Sequence, residues 1–363
     1  MKILHFIYTL GGGGAERQLA YLAVEQSKSG LEIHVAFTRG RTNLQMLLNS
    51  HVVLHKLPCR AKYDPRIMLD IYRVIRMIRP QLVQTWLTQM DILAGAIAGW
   101  FQIPVVLSER SSEQAYPRNV RNVLRSLIGC NATAIVANSK QGCDYWHRKG
   151  FPRRLAVIRN GIPFEEIRHA QPCATLQIDT ELTLSSEQKL IMFAGRYGDE
   201  KNLGVLLESF SQVLGHCEEA VAVLFGVGPK LEELKSIRAT LPDSDRLHIL
   251  DYTNNLWGYM KRAEQFVSLS LFEGSPNVVF EAAASGCALV LSDIPEHREI
   301  VDDESAKLVP AEDSSAVAKA ILQLLSDPDG ASRMAQRARE RVRNMSVRSA
   351  ALEYKKLYNQ VVL

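Results

Sequence analysis

Short apolar runs alternate with amphipathic stretches along this 363-residue chain. The apolar runs are rich in Val, Ile and Leu, which is typical of strands buried on both faces of a parallel sheet. They predict two series of strands, at 2–8, 32–37, 82–85, 105–108, 134–138 and 155–158, and at 190–194, 221–225, 247–250, 266–271 and 288–292. Helical patterns separate the strands in both series, so the chain is predicted to form two parallel-sheet α/β domains.

The alternation weakens between Gly161 and Gln188, where a polar stretch carries prolines and threonines. An interdomain linker in this stretch gives a first domain of residues 1–165 and a second of residues 166–345. Residues 346–363 have the pattern of one more helix. The chain is long enough for each domain to build its own core.

The composition, 47% hydrophobic and 23% charged residues, is that of a soluble globular protein. The most apolar stretch, residues 92–101, is about half as long as a membrane span and is predicted to be a core helix. The six cysteines form no C-x-x-C pair. Reduced thiols and a cytoplasmic location are therefore expected.

Charge is divided unevenly between the predicted domains. Residues 1–165 hold 22 Lys and Arg against 10 Asp and Glu, a net charge of +12, whereas the rest of the chain carries −8. Two predicted helices, 65–79 and 117–128, concentrate this excess in Arg66, Arg73, Arg76, Arg79, Arg118, Arg121 and Arg125. Such basic faces either dock on an anionic membrane or are the solvated surfaces of a basic domain. No recognition pattern for nucleic acid accompanies them.

The segment 272–286 carries two glutamates, Glu273 and Glu281, across a predicted strand-to-helix turn. Ser275 fits the N-cap of the helix and Pro276 its first position. A helix that begins there presents backbone N–H groups and the positive end of its dipole to an anion, most often a phosphate.

A glycine-rich loop, Gly11 to Gly14, follows the first predicted strand and opens a helix. Such a loop lets a ligand approach the backbone closely and offers N–H donors to an anion. A nicotinamide-cofactor fingerprint is excluded, because it needs a glycine where Glu16 stands. In the second domain, Arg196 and Lys201 follow the first strand, and two such cations would stabilise a departing diphosphate.

Three of these motifs resemble the signatures of the retaining glycosyltransferases of family 4. They are E-x7-E from Glu273 to Glu281 with Gly, Pro and Asn between, G-R-x-x-x-x-K-N from Gly195 to Asn202, and the glycine loop. The resemblance implies the GT-B fold, two Rossmann-like, doubly wound parallel-sheet domains facing across a cleft. It also implies that the helix within 346–363 crosses back to the first domain.

By the same resemblance, the second domain binds a nucleotide-diphosphate sugar and the first domain the acceptor. Arg196 and Lys201 would grip the donor diphosphate and Glu273 the hydroxyls of the sugar, as the catalytic set, while Glu281 would hold the ribose. Further donor contacts are expected from Gly274, Asn277, Val278, Gly13, Gly14 and Tyr252. No cofactor and no metal is expected, since the helix dipole and the two cations would replace the ion.

The acceptor side departs from the family pattern, because many relatives carry a His where this chain has Arg110. Arg110 and Glu109 are predicted to contact the acceptor, with Arg110 gripping a phosphate through two nitrogens. The alternative is an ion pair of Arg110 with Glu109 or Glu113. Variants with Ser-Glu-Arg at this place resemble the subset that acts on lipid-linked polysaccharide intermediates.

The resemblance and the basic first domain together predict a retaining, metal-independent glycosyltransferase. Its acceptor would be a polyprenyl-diphosphate-linked saccharide at the inner face of the plasma membrane, in bacterial surface polysaccharide synthesis. Two alternatives stay open, a family member with a small soluble acceptor and a nucleotide-sugar epimerase or hydrolase of the same fold. The former would act without lipid association, and the latter would consume donor with no acceptor present.

Overall fold

The computed structural model describes residues 1–40, 42–58, 64–111, 113–117, 119–151, 154–177 and 181–362. The chain separates into two compact units, one of Met1–Gly161 with Met345–Leu363 and one of Ile162–Asn344. The C-terminal segment therefore belongs to the first unit. The first unit ends close to the boundary that the sequence predicts after residue 165.

The bounds that follow are those of the described residues. The strands are Lys2–Ile7 (β1), Thr9–Leu10 (β2), Glu32–Phe37 (β3), Arg39–Gly40 (β4), Val53–Lys56 (β5), Leu82–Trp86 (β6), Val105–Glu109 (β7), Ala134–Ala137 (β8), Arg154–Val157 (β9), Thr175–Gln177 (β10), Glu181–Thr183 (β11), Lys189–Ala194 (β12), Ala220–Phe225 (β13), Leu247–Leu250 (β14), Gln265–Ser268 (β15), Ala288–Ser292 (β16) and Lys307–Val309 (β17). The helices are Gly14–Lys28 (α1), Leu44–Leu48 (α2), Arg66–Ile78 (α3), Leu87–Trp100 (α4), Val120–Cys130 (α5), Lys140–Arg148 (α6), Phe164–His169 (α7), Leu203–His216 (α8), Leu231–Thr240 (α9), Leu256–Arg262 (α10), Asn277–Ser285 (α11), Pro295–Arg298 (α12), Ser314–Ser326 (α13), Pro328–Val342 (α14) and Val347–Val361 (α15). Short 3-10 turns occupy Glu113–Ala115, Asp199–Lys201 and Ser244–Arg246.

The main sheet of the first unit is parallel and has the order β5-β3-β1-β6-β7-β8-β9. Helices α1, α2 and α15 cover one of its faces, and α3, α4 and α6 cover the other. The C-terminal helix is tied to the first helix by a buried hydrogen bond from Gln26 Nε2 to the Tyr358 hydroxyl at 3.0 Å.

The main sheet of the second unit is also parallel, in the order β14-β13-β12-β15-β16-β17. The chain runs outward from β12 to β14, then returns to the other side of β12 with β15. Sheets of this kind bind ligands where the strand order reverses, outside the carboxyl ends of the strands. The loops after β12 and β15 are therefore the place to look for a site in this unit.

The structure differs from the sequence prediction mainly in the polar stretch after Gly161. This stretch is not an open linker, because it holds α7 and the antiparallel pair β10 and β11. Its side chains pack into the second unit, where Leu176 is fully buried and the Tyr259 hydroxyl donates to the Thr175 carbonyl at 2.8 Å. Three-residue strands rich in Thr and Gln give too short an apolar pattern for a sequence-based prediction.

Two predicted helices keep their places with shifted ends. The predicted helix 117–128 begins at Val120 instead, and Arg118 lies outside the described residues. The apolar stretch 92–101 forms most of α4, as predicted. Within the described chain, no helix combines the length and apolar character that crossing a bilayer requires.

Candidate active site

The loops that follow β12 and β15 meet at the switch point of the second sheet. The backbone N–H of Leu271 donates to the carbonyl of Glu200 at 2.9 Å, which ties the two loops together. Beside this bond, Lys201 Nζ donates to Glu273 Oε1. The two side chains are only 17% and 11% exposed, so this ion pair is largely withdrawn from water.

Glu273 is held from its own loop and from the next one. The Ser270 hydroxyl donates to Glu273 Oε1 at 2.8 Å. The backbone N–H of Glu273 donates to the carboxylate of Glu296. Burial raises the pKa of Glu296, and the neighbouring Glu273 charge raises it further. Lys201 and Ser270 therefore hold the predicted sugar-binding carboxylate, and Glu296 holds the backbone of the same residue.

His297 lies behind this ion pair and is fully buried. Its Nδ1 is 2.8 Å from the carbonyl oxygen of Ser292, which only accepts, so Nδ1 carries the hydrogen. Burial lowers the pKa of His297, and the charges of Glu273 and Lys201 act on it as well. The ring is therefore neutral, with an acceptor Nε2 that finds no hydrogen-bond partner among the described residues.

Arg196 is exposed on the loop after β12. The loop is supported by Tyr197, whose buried hydroxyl lies 2.8 Å from the Leu250 carbonyl oxygen. It also packs against the backbone of the loop after β13, where a Cβ on Gly226 would come within 1.9 Å of the Gly195 carbonyl oxygen. A backbone approach this close permits only glycine at residue 226.

Helix α11 begins one residue later than predicted. Pro276, and not Ser275, occupies the N-cap, and no side chain caps the helix. The Ser275 hydroxyl oxygen is buried and has no hydrogen-bond partner in the described residues. Gly286 ends the helix with a φ of 90°, in the left-handed region that favours glycine.

Glu281 lies in the second turn of α11 and is almost fully buried. The indole N–H of Trp257, from α10, donates to Glu281 Oε2 at 2.9 Å. Asn277 and Val278, the first two residues of the same helix, are half-buried, and so is Gly274 in the loop before it. The carboxyl edge of the sheet thus brings together most of the predicted donor contacts of the second unit.

Tyr252 lies farther away along the same edge, after β14, and is about half exposed. It is separated from the ion pair by β13, which lies between β14 and β12.

In the first unit, the glycine loop binds a carboxylate of the same chain, that of Glu16. The carboxylate of Glu16 accepts backbone N–H groups from Gly11 and Gly13, while burial raises its pKa. A Cβ on Gly13 would lie 1.9 Å from Glu16 Oε2, which explains the glycine there. The backbone N–H of Gly13 is thus not free to bind a donor phosphate as predicted. Gly14 opens α1 and is exposed.

Glu109 does not face an acceptor, contrary to the prediction, because it is fully buried. Its Oε2 accepts from Arg125 Nη1 and from the indole N–H of Trp146, both at 2.8 Å. Arg125 Nε also donates to Asp91 Oδ2 at 2.8 Å. Burial raises the pKa of Asp91 to about 6, although Arg125 opposes the rise.

This arrangement also overturns the prediction that Arg125 lies on an exposed basic stripe. Its guanidinium is 2% exposed and compensates two buried carboxylates. Three charges sealed in this way form a structural cluster, since no solute reaches them.

Arg110 is engaged by the protein and makes neither of the predicted ion pairs. It donates to Asn160 Oδ1 at 2.8 Å and to the Tyr354 hydroxyl at 2.6 Å, and it stacks 4.2 Å above the Trp86 ring. Glu113 instead pairs with Arg148. A two-nitrogen grip on an acceptor phosphate is therefore not the role of Arg110 here, because both terminal nitrogens bind protein oxygens.

The sequence reasoning missed Glu296, His297 and Trp257. Glu296 and His297 come shortly after β16, directly behind Pro295. Polar residues that follow the carboxyl end of a predicted parallel strand are candidates for a site, so this position could have indicated them. Trp257 had no such signal, because only the folded chain brings α10 beside α11. Across the described residues, no group of three or more His, Cys, Asp or Glu side chains has the arrangement of a metal site.

Comparison with known proteins shows the family of this chain. The family model "Glycosyltransferase Family 4" matches residues 12–166, and "Glycosyl transferases group 1" matches residues 176–341. Over 347 residues, the chain is 25% identical to the N-acetylgalactosamine-N,N'-diacetylbacillosaminyl-diphospho-undecaprenol 4-alpha-N-acetylgalactosaminyltransferase of Campylobacter jejuni, with 90% of each chain covered. It is also 25% identical over 331 residues to the lipopolysaccharide core biosynthesis glycosyltransferase LpsD of Rhizobium meliloti, covering 90% of this chain and 89% of that one.

Among solved structures, Anabaena HepE in complex with UDP and glucose superimposes with a TM-score of 0.83 at 15% identity, covering 99% of both chains. The fold is therefore that of the GT-B glycosyltransferases, as predicted. The chain belongs to glycosyltransferase family 4, and it is a glycosyltransferase.

Proposed function

We propose that this glycosyltransferase moves a sugar from a nucleotide diphosphate to a hydroxyl of a polyprenyl-diphosphate-linked saccharide, in the synthesis of a bacterial surface polysaccharide. The names of the two relatives support this acceptor class. The Campylobacter protein is named for a diphospho-undecaprenol-linked acceptor, and the Rhizobium protein for lipopolysaccharide core synthesis.

The ion pair of Lys201 and Glu273 at the switch point is the observation that supports the donor site best. Arg196 is exposed on the same loop as Lys201, and Glu273 comes four residues before the start of α11, so two cations and the N–H groups of a helix start belong to the segments that meet here. A diphosphate would fit such a place, because its charge is compensated without a metal ion.

In the proposed reaction the donor displaces part of the ion pair. The ammonium of Lys201 then donates to the diphosphate, while the carboxylate of Glu273 accepts from hydroxyls of the sugar. Glu281 accepts from the ribose hydroxyls and is oriented by the indole of Trp257.

Transfer breaks the bond between the anomeric carbon and the diphosphate oxygen and forms a bond to the acceptor oxygen on the same face. The proton of the acceptor hydroxyl passes to the departing phosphate. Arg196 and Lys201 stabilise the negative charge that grows on the leaving group, and such stabilisation is greater where water is excluded. Full activity in excess chelator is expected, since no step uses a metal.

The charge of the first unit supports a peripheral position at the cytoplasmic membrane face. The net charge of residues 1–165 is +12, and the arginines of the α3 region are all exposed, namely Arg66, Arg73, Arg76 and Arg79. Each cation near an anionic surface contributes about 1 kcal/mol of attraction.

A panel of nucleotide sugars, scored by thermal shift, tests the donor half of the proposal. Ligands that bind the folded state raise its stability by mass action, so the donor should be the sugar nucleotide that gives the largest rise. The responding donor is then offered to a polyprenyl-diphosphate-linked saccharide, and the product is analysed for retained anomeric configuration.

The possible outcomes separate the alternatives. Transfer to the lipid-linked saccharide supports the proposal. If only a water-soluble acceptor is glycosylated, the proposed lipid-linked acceptor is wrong and the enzyme acts on a small soluble acceptor. Release of nucleotide without any acceptor would indicate an epimerase or a hydrolase. No response to any sugar nucleotide would refute the donor site.

A further inference from the structure

Helix α5 presents its apolar residues to solvent. Val120, Val123, Leu124 and Leu127 follow the i, i+3, i+4, i+7 spacing that normally faces a core, yet each is between 45% and 76% exposed. At 100° per residue the four side chains fall within an arc of about 100°, on one stripe of the helix.

The fully buried residues of α5 are Arg125 and Gly129, whereas a core helix normally buries several apolar side chains; Ile128 is half-buried against Gly95 of α4. Arg125 binds Asp91 and Glu109. One turn later Gly129 lies against Trp146, and a Cβ on it would come within 2.2 Å of the ring. The helix is therefore attached by ion pairs, by a close backbone contact and by Ile128, while the stripe of Val120, Val123, Leu124 and Leu127 is exposed and does not contribute to the core.

The two neighbouring helices continue this surface. Helix α4 lies between α3 and α5, and its last residue, Trp100, is 74% exposed. The Trp100 ring packs against Tyr72 of α3 in a tilted arrangement, with 5.7 Å between the ring centroids. Leu69 and Met77 are exposed on α3 itself.

The exposed charge on this surface has one sign, although Arg66 and Arg73 also pair with the carboxylates of Asp64 and Asp70, which have little exposure. Helices α3, α4 and α5 contain two acidic residues, Asp70 and Asp91, and both are buried. The exposed charged side chains of the three helices are cationic, namely Arg66, Arg73, Arg76 and Arg121. A second copy of this chain would bring like charges together, whereas an anionic bilayer offers both opposite charge and an apolar interior.

We propose that the outer surface of α3, α4 and α5 docks on an anionic lipid bilayer. The stripe of α5 and Trp100 enter the boundary between headgroups and acyl chains, and the arginines of α3 bind lipid phosphates. This inference deepens the proposed function, because it says how the enzyme reaches a lipid-linked acceptor. It assigns the binding to apolar insertion as well as to basic charge.

Vesicle co-sedimentation tests the docking. The vesicles contain either equal parts of phosphatidylglycerol and phosphatidylcholine or phosphatidylcholine alone. The Leu124→Gln/Leu127→Gln variant should lower the partition coefficient on anionic vesicles by about tenfold, because it removes two inserted side chains. The loss should persist at about 0.5 M salt, where charge attraction is screened.

Two further variants separate insertion from charge. Arg73→Gln/Arg76→Gln should weaken binding to anionic vesicles at low salt and have little effect at high salt. The matched control is Leu352→Gln, since Leu352 is also half-exposed but lies on α15, which packs on the opposite face of the sheet. Its partition coefficient should equal that of the unchanged protein.

An unchanged partition coefficient for the leucine variant would overturn the proposal. A concentration-dependent dimer that the same variant abolishes, without vesicle binding by either protein, would assign the surface to a second copy and overturn it too. The thermal shift with sugar nucleotides is measured in parallel on every variant. A variant that loses vesicle binding but keeps its nucleotide response is folded, so its loss supports the docking surface. An absent nucleotide response in the unchanged protein would refute the proposed function and leave the docking proposal standing.

Discussion

Each unit of this enzyme has an ion-pair cluster near the carboxyl end of a central strand. In the second unit, Lys201 meets Glu273, and both side chains keep some exposure. In the first unit, Arg125 meets Asp91 and Glu109, and all three are sealed.

The difference lies in surroundings and in stoichiometry. The Lys201–Glu273 pair keeps some exposure, shares its loop with the exposed Arg196 and comes just before a helix start, so we expect a ligand to enter and exchange partners with it. The sealed cluster has one cation for two carboxylates and no access to solvent, so it can only hold α5, α4 and β7 together. Paired charges near a strand end therefore indicate a site only when a solute can reach them.

Removal of the sealed cation should have the largest effect. Arg125→Met leaves two buried carboxylates without a countercharge, and breaking a buried pair in this way costs about 3–5 kcal/mol. Urea unfolding followed by tryptophan fluorescence measures this loss, because Trp86, Trp100 and Trp146 all lie in the first unit.

The triple variant Arg125→Met/Asp91→Asn/Glu109→Gln is its control. Without any buried charge it should regain more than half of the lost free energy of unfolding. A loss below about 1 kcal/mol for Arg125→Met would mean that the cluster is solvated in solution.

Lys201→Ala tests the accessible pair. It removes a cation that would stabilise the leaving group, so turnover should fall by about 10²–10³ while substrate still binds. Steady-state kinetics at saturating donor measures the fall. Lys235→Ala is the control, because Lys235 is an exposed lysine of α9 that forms an ion pair with its helical neighbour Glu232. Near-normal turnover of Lys201→Ala would refute the role of this pair.

The sequence predicted the strands of both sheets well, because central parallel strands carry uninterrupted apolar runs. The edge strands β5 and β17 and the pair β10 and β11 escaped prediction. They are short and expose polar residues, so their pattern does not differ from that of a loop.

The site was predictable as far as local spacing determines it. The E-x7-E motif placed Glu273 and Glu281 on one strand–loop–helix, and the structure has both there. The partners were not predictable, because Arg125 finds Glu109 only through packing. The sequence Ser108-Glu109-Arg110 therefore suggested that Glu109 contacts the acceptor, although the carboxylate of Glu109 belongs to the core.

The sealed cluster should also respond to pH. Burial raises the folded-state pKa of Asp91 from 3.8 to about 6, so the folded protein holds a proton that the unfolded chain releases. Its contribution to stability is fully present below about pH 4 and is lost as the pH rises through 6, by up to about 3 kcal/mol. Asp91→Asn should lack this contribution. The difference in unfolding free energy between the two proteins should therefore shrink or reverse from pH 4.5 to 7.5.

Asp302→Asn is the opposite control. The pKa of Asp302 is lowered, chiefly by the hydrogen bond from Ser305, so its contribution is present at neutral pH and lost in acid. Equal differences at both pH values for Asp91→Asn would show that Asp91 titrates normally.

The smallest predicted effect concerns the orientation of Glu281. Trp257→Phe removes the indole N–H that donates to the buried carboxylate, a loss of about 1–1.5 kcal/mol. Affinity for UDP or GDP, whichever binds, should then fall about fivefold to tenfold by isothermal titration. A 2′,3′-dideoxy analogue of that nucleotide lacks the ribose hydroxyls, so it should bind both proteins equally. If the variant weakens both ligands to the same extent, Trp257 supports the base or the fold and not the contact between Glu281 and the ribose.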